Sequence, residues 1–546
     1  MTTVRVRFAT LLLAAVPVAV VGVFFVYPVV GLVARGFWPD GAFAPTEVLD
    51  VLGRSRVHRV LWFTLWSAGL ATLLAVVLGL PLAFVLHRLR FPGRGFLRAL
   101  VLVPFVLPTV VVGVAFRQLT APRGILGGLH LDGSAAAIVA ALVFFNVSVV
   151  VRTVGAFWEA LDPRAEQAAA ALGASPRQVF GTVTLPALVP GIVSAASVVF
   201  LFCATAFGVV LTMGGLRYAN IETEIYLLTT QELDLSGAAA LSILQLVVIT
   251  VLLVVASRVR RDPAPLQRAQ SAARPPRLRD LPVLVAAGLV VAFLLLPMAS
   301  MVLASLQQPV GWGLANYRAL ATPGDDNALL VPALVGLRNS LAIAVVATAL
   351  SLGLGAVVAG LVSRRPRTAT GRRVAGLFDG LFMLPLGVSA VTLGFGFLIT
   401  LDHPPIDLRT SPLLIPVAQA MVALPLVVRI VAPVLRSVDP RQREAAASLG
   451  AGPLRVLLAV DLPVAWRPLL AAAGFAFAVS LGEFGATSFL ARSDNPTLPV
   501  VIYRLISHPG ALNLGMAMAA SCLLAATTAA AILLVERLRI DSVGTF

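Results

Sequence analysis

The chain has 546 residues, 59% of them hydrophobic and 12% charged, with a mean hydropathy of +0.95. That composition excludes a water-soluble globule and a disordered chain, and two cysteines, Cys203 and Cys522, exclude a disulfide scaffold. The net charge of +16 is carried without any lysine, by arginines set between apolar stretches, which is a topology signal and not a nucleic-acid surface.

With about 20 apolar residues per crossing of the hydrocarbon core, twelve spans are predicted, centred near residues 21, 73, 108, 145, 198, 246, 293, 350, 390, 420, 477 and 524. The first, roughly Phe8 to Val33, is longer than a signal-peptide core and lacks a small-residue cleavage pattern, so it is expected to be retained. No stretch is left over for a soluble domain. Arginine is enriched roughly two to one in the loops on the N-terminal side, which predicts both termini in the cytoplasm.

Between the sixth and seventh spans lies an Arg- and Pro-rich stretch, Ser257 to Asp280, with the composition of a linker. The predicted organisation is a first half at 1–256, a linker at 257–280 and a second half at 281–546. Asp162-Pro163-Arg164 recurs at Asp439-Pro440-Arg441, Leu172-Gly173 at Leu449-Gly450, and Leu185-Pro186 at Leu462-Pro463, each 277 positions on. The same offset relates Pro108 to Pro385, Arg152 to Arg429, Phe207-Gly208 to Phe484-Gly485 and Ile225-Tyr226 to Ile502-Tyr503. Six spans per half is an even number, so the predicted fold is all-α, about twelve transmembrane helices arranged as two parallel six-helix repeats.

The longest polar segments inside the repeats are residues 161–191 and 438–468. Each opens on Asp-Pro, a strong helix start, runs through an alanine-rich helix and stops at Gly173 or Gly450, where a residue without Cβ can take the left-handed conformation. A second short amphipathic stretch leads to the Leu-Pro that opens the next span. Small side chains on these helices allow a partner to approach closely.

Both segments resemble the EAA loop of the permease subunits of ATP-binding-cassette importers of type I, which has a glutamate, two alanines, a glycine six residues after the glutamate and a downstream Leu-Pro. The second copy keeps Glu444-Ala445-Ala446 with Gly450 and Pro463; the first has Gln167-Ala168-Ala169 with Gly173 and Pro186, and Glu166 one position earlier. The resemblance implies that these loops dock on ATPase subunits, two of them for two loops, with Glu444 the better polar anchor. It also implies an extracytoplasmic solute-binding protein, a lipid bilayer around the chain and a bacterial plasma membrane. A phosphate-binding loop needs a lysine and the chain has none, so ATP is expected to be used on partner subunits, with no cofactor, metal or catalytic residue here.

Two permease halves fused in one chain are similar to the thiamine and ferric-iron importer permeases. The segments IETEIY, LSILQLVV, LGEFG and TLPVVIYRLI are more similar to the thiamine type, which makes thiamine the expected solute and ferric iron the alternative; LGEFGAT and TLP also occur in molybdate and sulfate permeases. Glu222, Glu224, Glu232 and Asp234 crowd the loop before the sixth span and are expected to dock the binding protein, with attraction of a cation the alternative. Glu483 is the one carboxylate well inside a predicted span, and is a candidate for the translocation path or for a packing hydrogen bond. A secondary transporter would need titratable groups in several spans and would leave both loops without a role. His58, His87, His130, His403 and His508 are scattered, with no metal-binding spacing.

Overall fold

The computed structural model describes residues 14–39, 41–215, 217–259, 273–308, 311–363, 368–403 and 406–540. They are almost entirely helical, as an apolar chain requires when water is not available to satisfy its backbone. The first half runs through α1 (Ala14–Phe37), α2 (Ser55–Arg88), α3 (Arg94–Val106), α4 (Thr109–Thr120), α5 (Ala135–Ala160), α6 (Pro163–Ala171), α7 (Leu185–Ala204), α8 (Phe207–Met213), α9 (Ile221–Thr230) and α10 (Leu235–Val259). The second runs through α11 (Leu281–Leu306), α12 (Ala333–Val362), α13 (Ala369–Met383), α14 (Ala390–Thr400), α15 (Leu414–Ser437), α16 (Pro440–Ser448), α17 (Leu462–Gly482), α18 (Thr487–Leu490), α19 (Leu498–Ser507) and α20 (Ala511–Ile540).

Ten helices among the described residues are long and apolar enough to cross a membrane. The expected third and ninth spans are not straight. At Leu107-Pro108 the chain turns by 100° between α3 and α4, and near Pro385 α13 gives way to a 3-10 turn, Leu384–Gly387, before α14 begins. The two prolines that mark the repeat mark its breaks, because proline cannot donate to the preceding turn and keeps the residue before it out of the helical region. Gly208 and Gly485, 277 apart, let the following chain approach the second piece of each broken span. A Cβ on Gly208 would lie 2.5 Å from Thr109 Oγ1, and one on Gly485 would lie 3.1 Å from the backbone nitrogen of Val391.

The residues group into two compact units, each drawn from separate stretches of chain. One comprises Leu52–Glu224 and Leu244–Tyr317; the other comprises the chain up to Val51, Ile225–Ile243 and everything from Arg318. In the first unit α11 packs on α2 and α4, and Phe293 meets Phe116 and Phe144 edge-on at centroid distances of 6.3 and 6.4 Å. In the second, α1 packs on α14, with Phe24 6.2 Å from Phe397, over a core that includes Val21, Phe25, Val358, Phe382, Leu424 and Ala472. The first span of each sequence half is thus packed among residues of the other half.

Most of the predicted linker lies outside the described residues. Its end is anchored within the first unit: Arg90 N–H donates to the Arg274 carbonyl at 2.8 Å and Arg274 N–H to the Arg88 carbonyl at 3.1 Å. Asp280 receives the Arg274 guanidinium with two hydrogen bonds of 2.7 Å, which raises the pKa of Arg274.

Candidate functional site

The two loops are built alike to within tenths of an ångström. Asp162 Oδ1 accepts the Arg164 backbone N–H at 2.9 Å, and Asp439 Oδ1 accepts that of Arg441 at 2.9 Å, each satisfying one of the free donors at a helix start. At the other end Gly173 and Gly450 take φ of 88° and 84°. Ala174 N–H reaches back to the Ala169 carbonyl at 3.1 Å, and Ala451 N–H to that of Ala446 at 3.0 Å, closing a six-residue left-handed stop. A short helix and a π turn follow in each copy, ending at Thr184 and Asp461, and Leu185-Pro186 or Leu462-Pro463 opens α7 or α17.

This geometry sorts the sequence candidates. Gln167 and Ala168 in one loop, and Glu444 and Ala445 in the other, lie on the exposed face; Ala169 and Ala446 are half-buried, and Gly173, Gly450, Pro186 and Pro463 are exposed. Leu172 and Leu449, beside the two glycines, are 90% and 88% exposed. Two fully displayed leucines at equivalent corners are an apolar contact offered twice.

Glu166 faces the other way. Its Oε1 accepts from Thr184 Oγ1 at 2.9 Å and its Oε2 receives the guanidinium of Arg88, the last residue of α2. At the equivalent position Arg443 donates from Nε to Asp461 Oδ1 at 2.7 Å and from Nη2 to the Leu435 carbonyl at 2.9 Å. Arg88, Thr184, Arg443 and Asp461 were not singled out by sequence reading. Aligning the repeats at 277 would have exposed the last three, since Glu166 falls on Arg443 and Thr184 on Asp461.

Glu483 ends α17 and is buried. Its carboxylate accepts the backbone N–H groups of Ala486 at 2.7 Å and Thr487 at 3.1 Å, while Thr487 Oγ1 donates to its carbonyl at 2.9 Å. The side chain therefore caps α18, whose Phe489 and Leu490 line a cavity of about 410 Å³ together with Phe397, Asp402, Arg409 and Arg492.

The acidic segment before α10 departs from expectation, with Glu222 and Glu224 in the first turn of α9. Glu222 and Glu224 are 0% and 2% exposed; Glu222 accepts from Gln245, and Glu224 pairs with Arg56 at 2.5 Å. Asp234 caps α10 through Gly237 N–H at 2.7 Å. Of the four acids only Glu232 is exposed, so this is an internal polar lock and not a charged docking face. Its backbone joint is repeated: Ile221 N–H donates to Thr64 Oγ1 at 3.1 Å and Leu498 N–H to Ser340 Oγ at 2.8 Å.

Residues 75–262 and 351–539 each match the family described as binding-protein-dependent transport system inner membrane component. The chain is 28% identical over 503 residues to the thiamine transport system permease protein ThiP of Brucella abortus (strain 2308), covering 86% of this chain and 88% of that one. It is also 28% identical over 477 residues to ThiP of Escherichia coli (strain K12), covering 83% and 84%. The molybdenum transport system permease protein ModB of Mycobacterium bovis is 34% identical over 247 residues, 42% of this chain and 88% of its own. Two family matches on the two repeats, together with the apolar helices that carry them, make this chain a member of the binding-protein-dependent transport system inner membrane components, a fused two-half permease subunit of an ATP-binding-cassette system that crosses the inner membrane several times.

Proposed function

We infer that the chain forms the membrane path of a thiamine importer, receives its solute from an extracytoplasmic binding protein and is driven by two ATP-binding-cassette ATPase subunits. The observation that carries this reading is the identity of the two loops: the same cap, the same left-handed stop and the same exposed leucine, 277 residues apart. One partner site displayed twice suits a pair of like ATPases. Leu172 and Leu449 supply the apolar contact, Gln167 and Glu444 the polar one, and alanines between them leave room for the partner's surface.

Both termini and both loops lie in the cytoplasm in this reading, in line with the arginine bias. ATP hydrolysis belongs to the partners, since the lysine of a phosphate-binding loop has no counterpart here. Closure of the ATPases pushes on the two loops and alternates access to the membrane path. Glu483 holds α18, and with it the Phe489 wall of the cavity, in place. Thiamine is favoured because the two ThiP relatives align with most of both repeats; molybdate is the second reading, favoured by the higher identity of ModB to one half.

The test is uptake of labelled thiamine, molybdate and ferric iron in cells lacking the chain, complemented with wild type or Glu444→Arg. Loss of thiamine uptake alone, restored by wild type and not by Glu444→Arg, is the expected result. Loss of molybdate or iron uptake alone would overturn the substrate and keep the architecture.

A further inference from the structure

We propose that Glu166 and Arg443 are positioning residues that pass the ATPase stroke from the two loop helices into the membrane spans, through one shared kind of joint and one joint that differs between the halves. The proposal rests on the docking reading of the loops given above. Helices α6 and α16 have nine residues each, too short to hold their place by helix formation alone. Tethered only by the chain, such a helix would swivel at its glycine when pushed.

Each is instead bolted down by one charged side chain on its inner face. In the first loop the Glu166 carboxylate takes Thr184, at the entrance to α7, and Arg88, at the end of α2. In the second the Arg443 guanidinium takes Asp461, at the entrance to α17, and the Leu435 carbonyl near the end of α15. The partners are shielded, with side-chain exposures of 15% and 20% for Arg88 and Glu166 and 24% and 11% for Arg443 and Asp461. Charge-assisted bonds in such surroundings are stronger and more directional than exposed pairs.

Positions 184 and 461 are equivalent, and so are 166 and 443, yet the polarity is reversed: carboxylate to hydroxyl in one half, guanidinium to carboxylate in the other. A surface pair without consequence has no reason to recur at the same two places with donor and acceptor exchanged. What is kept is the connection from loop helix to the next span. Among the described residues the second connection differs: it runs to α2 in the first half and to α15 in the second. A push on the first loop thus reaches the span before the broken one, and a push on the second reaches the span after it.

The experiment is hydrogen–deuterium exchange on the full permease with its ATPases, with and without ATP and orthovanadate. It is run on wild type, Glu166→Ala and the graft Glu166→Arg/Thr184→Asp, which writes the second loop's pair into the first. In wild type, nucleotide trapping is expected to slow exchange across 163–171 and to change it at 84–88 and 180–184. Glu166→Ala, which removes the acceptor of both Thr184 and Arg88, should keep the first response and lose at least half of the other two, with about a tenfold rise in ATP hydrolysed per thiamine carried. The graft should regain the response at 180–184 and not that at 84–88, a split that general loss of stability does not produce. Unchanged responses at both segments in Glu166→Ala, loss of the ATPases from that variant, or a graft that restores neither or both segments, would each overturn the proposal. No protection of 163–171 in wild type would overturn the docking reading itself, and the proposal with it.

Discussion

Glu166 and Arg443 occupy the same position in two repeats of one chain and carry opposite charges, yet each reaches the residue eighteen positions further on, Thr184 at 2.9 Å and Asp461 at 2.7 Å. The relationship makes the second joint the more sensitive to a single deletion. Removing Asp461 leaves a largely buried guanidinium without its carboxylate. Asp461→Ala is expected to destabilise the permease by about 1–3 kcal/mol, against less than half of that for Thr184→Val, where Glu166 keeps Arg88. Thermal melting of the two purified variants side by side checks the order, and equal losses would contradict it.

The exposed leucines predict a separation of binding from folding. Leu172→Asp and Leu449→Asp should leave the melting temperature of the isolated permease unchanged, since both side chains already face outward. Burying a leucine contributes roughly 1.5–3 kcal/mol, so each substitution should weaken ATPase association at least tenfold. A titration of detergent-solubilised permease with its ATPase reads this directly.

At Gly173 a substitution meets open space and strained backbone together. Gly173→Ala should therefore cost about 1–2 kcal/mol from the left-handed conformation alone, and Gly450→Ala the same. Gly208→Ala should cost more, because its new Cβ would sit 2.5 Å from Thr109 Oγ1 and 2.7 Å from Val110 N. Expression and melting of the three variants rank these effects, and a Gly208→Ala protein as stable as Gly173→Ala would count against the packing described at the break.

Glu483 holds two backbone N–H groups at the start of α18. Glu483→Gln retains one acceptor and should fold, with reduced uptake; Glu483→Ala frees both donors and should lower the melting temperature as well, a loss of about 1–3 kcal/mol per unsatisfied buried donor. Equal stability in both variants, with uptake lost in both, would point to a role in the path and not in the cap.

Much of this was legible in the sequence because the chain repeats itself. The offset of 277 marks both loops, and the Asp-Pro start and glycine stop mark the ends of their helices. The same offset paired Pro108 with Pro385, but hydropathy averaged over a window does not register a bend, so the two broken spans read as straight ones. Glu222 and Glu224 read as an outer charged patch because their partners, Gln245 and Arg56, come from separate helices. Burial by a distant partner leaves no local trace. Arg443, and the inward role of Glu166, were hidden for a related reason: each motif was read against an outside pattern, when the informative comparison lay between the two copies.

The exchange of first spans bears on how the molecule is made. Helix α1 enters the membrane early, but α14, against which it packs, begins roughly 350 residues later, which at 5–20 residues per second is a wait on the order of tens of seconds. During that interval Phe24 and its neighbours face lipid or the insertion machinery and not their final partners. Nor can the first unit close on its own, since α11 is translated only after the linker has emerged. Synthesis as a single polypeptide guarantees that every α1 finds an α14 from the same ribosome, so that assembly proceeds from the chain's own ends instead of from encounters between separately made halves.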